Sequence, residues 1–84
     1  RLIDKNILRN QELKLLHMTA REVEQLLRRH GFQLVSQSGS HRKWRNEIAK
    51  RQVIVPEHRG KILPIGTLRN ILVNASIPES EWME

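Results

Sequence analysis

Hydrophobic and polar positions alternate with clear periods from Thr19 onward, and the first period is helical. Val23, Leu26 and Leu27 recur at helical spacing, which predicts an amphipathic helix. Thr19-Ala20-Arg21-Glu22 has the S/T-x-x-E form of a capping box, so the helix should begin just after Thr19. His30 precedes Gly31, which supplies a residue suited to the left-handed turn that ends a helix.

Three short segments with strand composition follow this helix. Phe32–Val35 predicts a first strand, with Phe32 and Leu34 on one face. Small polar residues from Ser36 to Ser40 predict a turn or loop. His41–Asn46 alternates as a second strand, Glu47–Lys50 forms the next turn, and Arg51–Val55 is a third strand that ends at Pro56.

A second amphipathic helix opens within Leu63–Thr67, with Pro64 near its first turn. Its apolar stripe consists of Ile65, Leu68, Ile71, Leu72 and Ala75. A last short helical turn is expected in Pro78–Met83, anchored by Ile77 and Trp82. The pattern therefore predicts an α+β fold in the order α-β-β-β-α, with two helices on one face of a three-stranded antiparallel sheet and the other face open.

The segment Arg1–His17 has a composition of its own and only a loose helical spacing. Met18 directly precedes the capped helix, so it could be a natural initiator with tag, upstream or fused sequence before it. We therefore expect an N-terminal extension, which could be helical, over residues 1–17 and one functional domain over residues 18–84.

The distribution of charge along the chain indicates which partners it favours. The chain of 84 residues has a formal net charge of +6, and its ten Lys/Arg between Arg28 and Arg69 face only Glu47 and Glu57. A basic middle segment of this kind favours partners that carry phosphate, although an ordinary solvated surface would look similar. The sequence has no cysteine, no run of apolar residues long enough to span a bilayer and no signal peptide, from which we expect a cytoplasmic location without membrane contact.

The second strand concentrates the candidate chemistry. Alternation puts His41, Lys43 and Arg45 on one face and Arg42, Trp44 and Asn46 on the other. Trp44 is the large apolar residue of this strand, so its face should pack on the helices and leave His41 with two cations on the open face. Histidine can both accept and donate a proton near neutral pH, and the cations could hold a phosphate.

Metal-dependent chemistry finds little support in the sequence. Two-metal hydrolysis needs clustered carboxylates, but only Glu47 and Glu57 lie between Gly31 and Gly60. The four histidines, at positions 17, 30, 41 and 58, lack the i, i+4 spacing of a helical metal site. We expect no metal or cofactor, and interpret His30 as structural and His58 as a possible phosphate contact.

Three features together resemble a known family. They are the capped helix ending in His30-Gly31-Phe32, the triplet Gly39-Ser40-His41, and Val53–Pro56 followed by Leu63–Leu68. In this order and spacing, residues 19–77 resemble the HicA toxins of HicAB toxin–antitoxin modules, small messenger-RNA interferases with a fold like that of double-stranded-RNA-binding domains. Ser76 stands where members often have glycine after the second helix.

The resemblance implies specific roles. His41 corresponds to the catalytic histidine of the family, and a HicB-type antitoxin would neutralise the toxin, in many cases by covering this surface. We expect His41 to act as general base on the 2′-OH of RNA, with Lys43, Arg45 or Arg42 stabilising the transition state. Gly39, Ser40, Arg42, Lys43, Arg45 and Lys61 are the expected RNA contacts. The proton donor to the leaving group is not identified.

Two other functions remain open. The same basic face would suit a module that binds double-stranded RNA without cleaving it. A DNA-binding partner of a repressor is a weaker alternative, because neither helix carries a cluster of base-reading side chains. Sequence preference, oligomeric state and the activity of this copy do not follow from the residues.

Overall fold

The computed structural model describes residues 18–57, 60–78 and 81–82. Its elements follow the order α1 (Ala20–Arg29), β1 (Gln33–Ser38), β2 (His41–Asn46), β3 (Arg51–Pro56) and α2 (Ile65–Asn74). The predicted α-β-β-β-α order is confirmed, and the sheet is antiparallel with β2 in the centre. Within the described residues, no helix is both long and apolar enough to cross a membrane.

Both ends of α1 follow from its sequence. Thr19 is the N-cap: its hydroxyl oxygen accepts from the Glu22 amide, and the Glu22 carboxylate accepts from the Thr19 amide at 3.0 Å. At the other end Gly31 has a φ of +86°, the left-handed conformation that glycine adopts most easily. The capping box and the glycine stop are therefore confirmed.

The first strand is longer than predicted. β1 continues to Ser38, so the expected loop over residues 36–40 shrinks to the two-residue turn Gly39-Ser40. Gly39 has a φ of +58°, as tight hairpin turns require at their first central position. The alternation of β1 is also broken, because Val35 is an extra residue between the pairs Leu34–Trp44 and Ser36–Lys43, which makes a β-bulge.

The core lies between the sheet and the two helices. Trp44 is completely buried, together with Val53 and Val55 of β3 and the apolar stripes of both helices, in one cluster. The helical members are Ala20, Val23, Leu26 and Leu27 of α1 and Leu68, Ile71 and Leu72 of α2, with Ala75 and the partly buried Ile65 completing the predicted stripe. Burial of each large side chain stabilises the fold by about 1.5–3 kcal/mol.

Asn46 confirms the predicted division of β2 into two faces. Its side-chain amide donates to the carbonyl of His30 at 3.0 Å, and its side-chain oxygen accepts from the Ala49 amide at 3.0 Å. One side chain thus joins the end of α1 to the β2–β3 turn on the helix side of the sheet.

The C-terminal segment closes the core. Pro64 occupies the N-cap position of α2, one place before the helix proper, and Ala75 is its C-cap. Ile77 and Trp82 are buried as predicted, and the Trp82 indole donates to the Ile77 carbonyl at 3.0 Å. Other residues of the predicted last turn, Glu79, Ser80 and Met83, lie outside the described residues.

Ser76 occupies a backbone conformation that favours glycine. Its φ is +55°, and its amide donates to the Val73 carbonyl while the Ile77 amide donates to the Leu72 carbonyl. This is the left-handed residue that follows a helix, where a side chain costs roughly 1 kcal/mol.

We expect Ser76→Gly to raise the free energy of unfolding by roughly 1 kcal/mol, because it removes this strain. Urea denaturation followed by circular dichroism measures the change. Val73→Gly is the matched control: this exposed residue has helical backbone, so glycine there should lower stability. Equal effects of the two glycines would contradict the assignment.

Candidate functional site

The open face of the sheet carries three rows of side chains that lie opposite one another across the strands. Because directly paired residues of an antiparallel sheet share a face, the register defines each row. The rows are Ser38–His41–Pro56, Ser36–Lys43–Ile54 and Gln33–Arg45–Gln52. His41, Lys43 and Arg45 therefore share this face, as the sequence predicted.

The bulge at Val35 decides which residue of β1 lies beside His41. Without the extra residue, regular pairing from Leu34–Trp44 would set Gln37 opposite His41. With it, Ser38 and Ser36 lie opposite His41 and Lys43, so two hydroxyls join the open face. Sequence reasoning missed both serines, since polar small residues there suggested a loop.

The Gly39-Ser40 turn holds the end of the sheet where His41 lies. The Ser40 carbonyl accepts from the Glu57 amide at 2.6 Å, just beyond the His41–Pro56 pair. Gly39, Ser40 and His41 are all exposed. A phosphate can approach the imidazole here along the hairpin turn.

Arg42 belongs to the opposite face. Its Nε donates to Glu24 Oε2 of α1 at 2.6 Å, and its Nη1 donates to Gln37 Oε1 at 3.0 Å. The structure does not bring this predicted RNA contact together with His41.

Glu24 is a structural link between α1 and β2 that sequence reasoning missed. Its Oε2 accepts from the Trp44 indole N–H at 2.8 Å as well as from Arg42, and the Arg28 guanidinium lies 5.1 Å from the centre of the Trp44 ring. Glu24 thus gives the buried indole N–H its acceptor, and Arg28 places a cation over the face of the ring. The i, i+4 spacing of Glu24 and Arg28 on α1 was the available signal, but nothing in the sequence indicated their target.

The two remaining cations of β2 differ in their surroundings. Arg45 Nε donates to Glu47 Oε1 at 2.7 Å, in a pair whose carboxylate is largely exposed. For Lys43, no carboxylate among the described residues lies within ion-pair distance. Lys43 therefore has the ammonium group on this face that an incoming phosphate can contact.

Lys61 does not share the His41 face. It is exposed and adjoins Ile62, which makes an isolated bridge to Thr19 at the start of α1.

The histidines have separate surroundings. His41 is exposed, whereas His30 Nε2 lies 3.3 Å from Glu81 Oε1 and links α1 to the C-terminal segment, which agrees with a structural role. His17 and His58 lie outside the described residues. Within residues 18–57, 60–78 and 81–82, no three His, Cys, Asp or Glu side chains come together as a metal site.

These features define a class of protein: a small α+β domain like the double-stranded-RNA-binding fold, with an open basic sheet face. A comparison with protein families matches residues 20–77 to the HicA toxin of bacterial toxin–antitoxin systems, so the chain belongs to the HicA toxin family. It is the toxin component of a toxin–antitoxin module, and the family implies a cognate antitoxin. No curated protein matches the chain.

We expect Glu24→Ala to lower the free energy of unfolding by about 2–3 kcal/mol, because it leaves the Arg42 guanidinium and the Trp44 indole without their acceptor. Glu24→Gln should cost less, since one amide oxygen can still accept. Urea denaturation of each variant measures the loss.

Glu47→Ala is the matched control for this prediction. Glu47 also pairs with an arginine of β2, but its side chain is 71% exposed, so its removal should cost less than about 1 kcal/mol. Comparable losses at Glu24 and Glu47 would mean that the Glu24 contacts contribute no more than a surface ion pair.

Proposed function

We propose that this toxin is an endoribonuclease that cleaves messenger RNA without a metal ion, with His41 as general base. The observation that carries the proposal is that the exposed His41 and Lys43, two residues further along β2, lie on the same open face of the sheet. Family membership supports it, because HicA toxins are generally ribonucleases.

The imidazole would remove the proton of the ribose 2′-OH, whose oxygen then attacks the adjacent phosphorus. The bond from phosphorus to the 5′-oxygen breaks, giving a 2′,3′-cyclic phosphate and a 5′-OH end. Water or a second group supplies the proton that the leaving oxygen takes up. DNA lacks the 2′-OH and should not be cleaved.

Lys43 would stabilise the negative charge that builds on the phosphate oxygens in the transition state. Residues two apart on a strand are separated by roughly 6.5–7 Å, so His41 and Lys43 can reach the 2′-oxygen and the phosphate oxygens of one nucleotide. Ser38 and Ser36, opposite these two residues, offer hydroxyl groups to the same nucleotide.

His41→Ala should lower the cleavage rate about 10²–10⁴-fold, the usual contribution of one acid–base group, while RNA affinity stays nearly unchanged. The assay incubates purified wild type and variant with RNA in EDTA and identifies the product ends. A strand with a 2′-deoxy sugar at the cleavage site is the substrate control. Products with 5′-phosphate ends, or cleavage of the deoxy strand at an equal rate, would exclude this mechanism.

Lys43→Ala should lower kcat about 10²-fold with little change in KM, because its charge acts mainly in the transition state. Arg45→Ala is the control, as Glu47 already engages its guanidinium, and its effect on kcat should be smaller. Kinetics with a short RNA substrate separate kcat from KM. A dominant effect of Arg45 would assign the electrostatic role to that residue instead.

A binding module without catalysis is the second candidate, and the basic open face favours it equally. In that function, His41→Ala would reduce RNA binding and growth arrest by the same factor. The cognate antitoxin would cover this face in either case, and Ile54, which is about half exposed beside Lys43, gives it an apolar contact.

A further inference from the structure

Besides the open face, a basic cleft lies on the helix side of the sheet, at the end of the sheet where His41 is found. It is a cleft of about 600 Å³ that is lined by α1 on one side and by Glu57 and Gly60 on the other. Its wall and floor include Arg21, Gln25 and Arg28 of α1, and Glu24, Arg42 and Glu57. Neither the family match nor the proposed catalytic site accounts for it.

Arg42 gives the cleft a fixed cationic floor. Glu24 and Gln37 hold two of the five N–H donors of its guanidinium, and 22% of the side chain stays exposed. A guanidinium held in this way loses little conformational entropy when its other donors bind a phosphate.

The wall of the cleft is a polar stripe on α1. Arg21, Gln25 and Arg28 recur at i, i+4 and i+7, and all three are exposed. Arg28 is held over the Trp44 ring, and Arg21 lies about 10 Å further along the helix axis. Two long arginine side chains that begin at Cα atoms this far apart can each reach a different phosphate of one nucleic-acid strand.

The charges of the cleft favour an anion. Three guanidinium groups face two carboxylates, and Arg42 already pairs with Glu24. Among the described lining residues, Glu57 is thus the carboxylate that is not paired with an arginine, and it would repel a bound phosphate.

We propose that this cleft binds the RNA backbone beyond the nucleotide that is cleaved at His41. The proposal rests on the proposed function, since RNA is the ligand of both sites. Arg42 follows His41 directly in β2, and Glu57 follows Pro56, the residue of β3 that is paired with His41. One RNA strand can therefore pass from the open face around the end of the sheet into the cleft. The ligand class is single-stranded RNA, held through phosphate rather than through its bases.

The test measures RNA binding in the His41→Ala background, where cleavage does not interfere. Fluorescence anisotropy with labelled single-stranded RNAs of about 4 and about 20 nucleotides compares Arg21→Ala and Arg28→Gln with Arg29→Ala. Arg29 is the matched control, because it is exposed on α1 but is not part of the cleft.

Each arginine substitution in the cleft should weaken binding of the long RNA about tenfold, with little effect on the short RNA. The slope of the logarithm of the binding constant against the logarithm of the salt concentration should fall by about the amount that corresponds to one phosphate contact. Glu57→Gln should strengthen binding of the long RNA, because it removes a charge that repels phosphate. Arg21→Ala decides the matter if Arg28→Gln disturbs the packing of Trp44.

Equal losses of RNA affinity for Arg29→Ala and Arg21→Ala would overturn the proposal, since they would indicate unspecific attraction of RNA to the whole helix. Unchanged affinity in Arg21→Ala would overturn it as well. These outcomes differ from failure of the proposed function, in which wild-type protein would leave RNA intact while the cleft variants still lowered its affinity for RNA.

Discussion

One carboxylate oxygen joins the first helix to the central strand. Glu24 Oε2 accepts from Arg42 and Trp44, and the glutamate side chain is only 14% exposed. Burying a charge costs free energy, which the positive partner and the indole N–H offset here. With Arg42 and Trp44 held against α1, the alternation of the strand directs His41 and Lys43 to the other face. The open face therefore depends on a contact made on the opposite side of the sheet.

The edge strand β1 shapes both faces of the sheet through its β-bulge. The bulge at Val35 shifts the pairing of β1 by one residue, so that Gln37 reaches Arg42 on the helix side and Ser38 lies beside His41 on the open side. The same shift gives the partly buried Arg42 an acceptor on one face and places a hydroxyl beside His41 on the other. A regular ladder would instead pair Gln37 with His41 and Ser36 with Arg42, so the bulge decides which side chain of β1 lies beside each of these two residues.

Much of this arrangement follows from local sequence. The capping box at Thr19, the stop at Gly31 and the parity of β2 each rest on interactions within a few residues, and all are confirmed. The bulge could not be predicted, since small polar residues such as Ser36 and Ser38 favour turns and only the tertiary pairing with β2 places them in a strand. Glu24 escaped notice because its partners are about twenty residues away in sequence. The role proposed for His41 rests on family membership and on the chemistry of histidine, and the structure adds only which residues lie beside it.

The basic run of the central strand is three different groups rather than one patch. Arg42 is a structural cation paired with Glu24, Arg45 is paired with Glu47 at the surface, and Lys43 has no such partner among the described residues. A formal charge of +6 therefore overstates what a phosphate meets beside His41. In the proposed reaction a lysine would suit that position, because its compact ammonium on a flexible stem could follow phosphate oxygens as they rearrange, whereas a guanidinium favours one planar geometry. Under the proposed function, binding strength and catalytic charge would thus reside in different residues of one short strand.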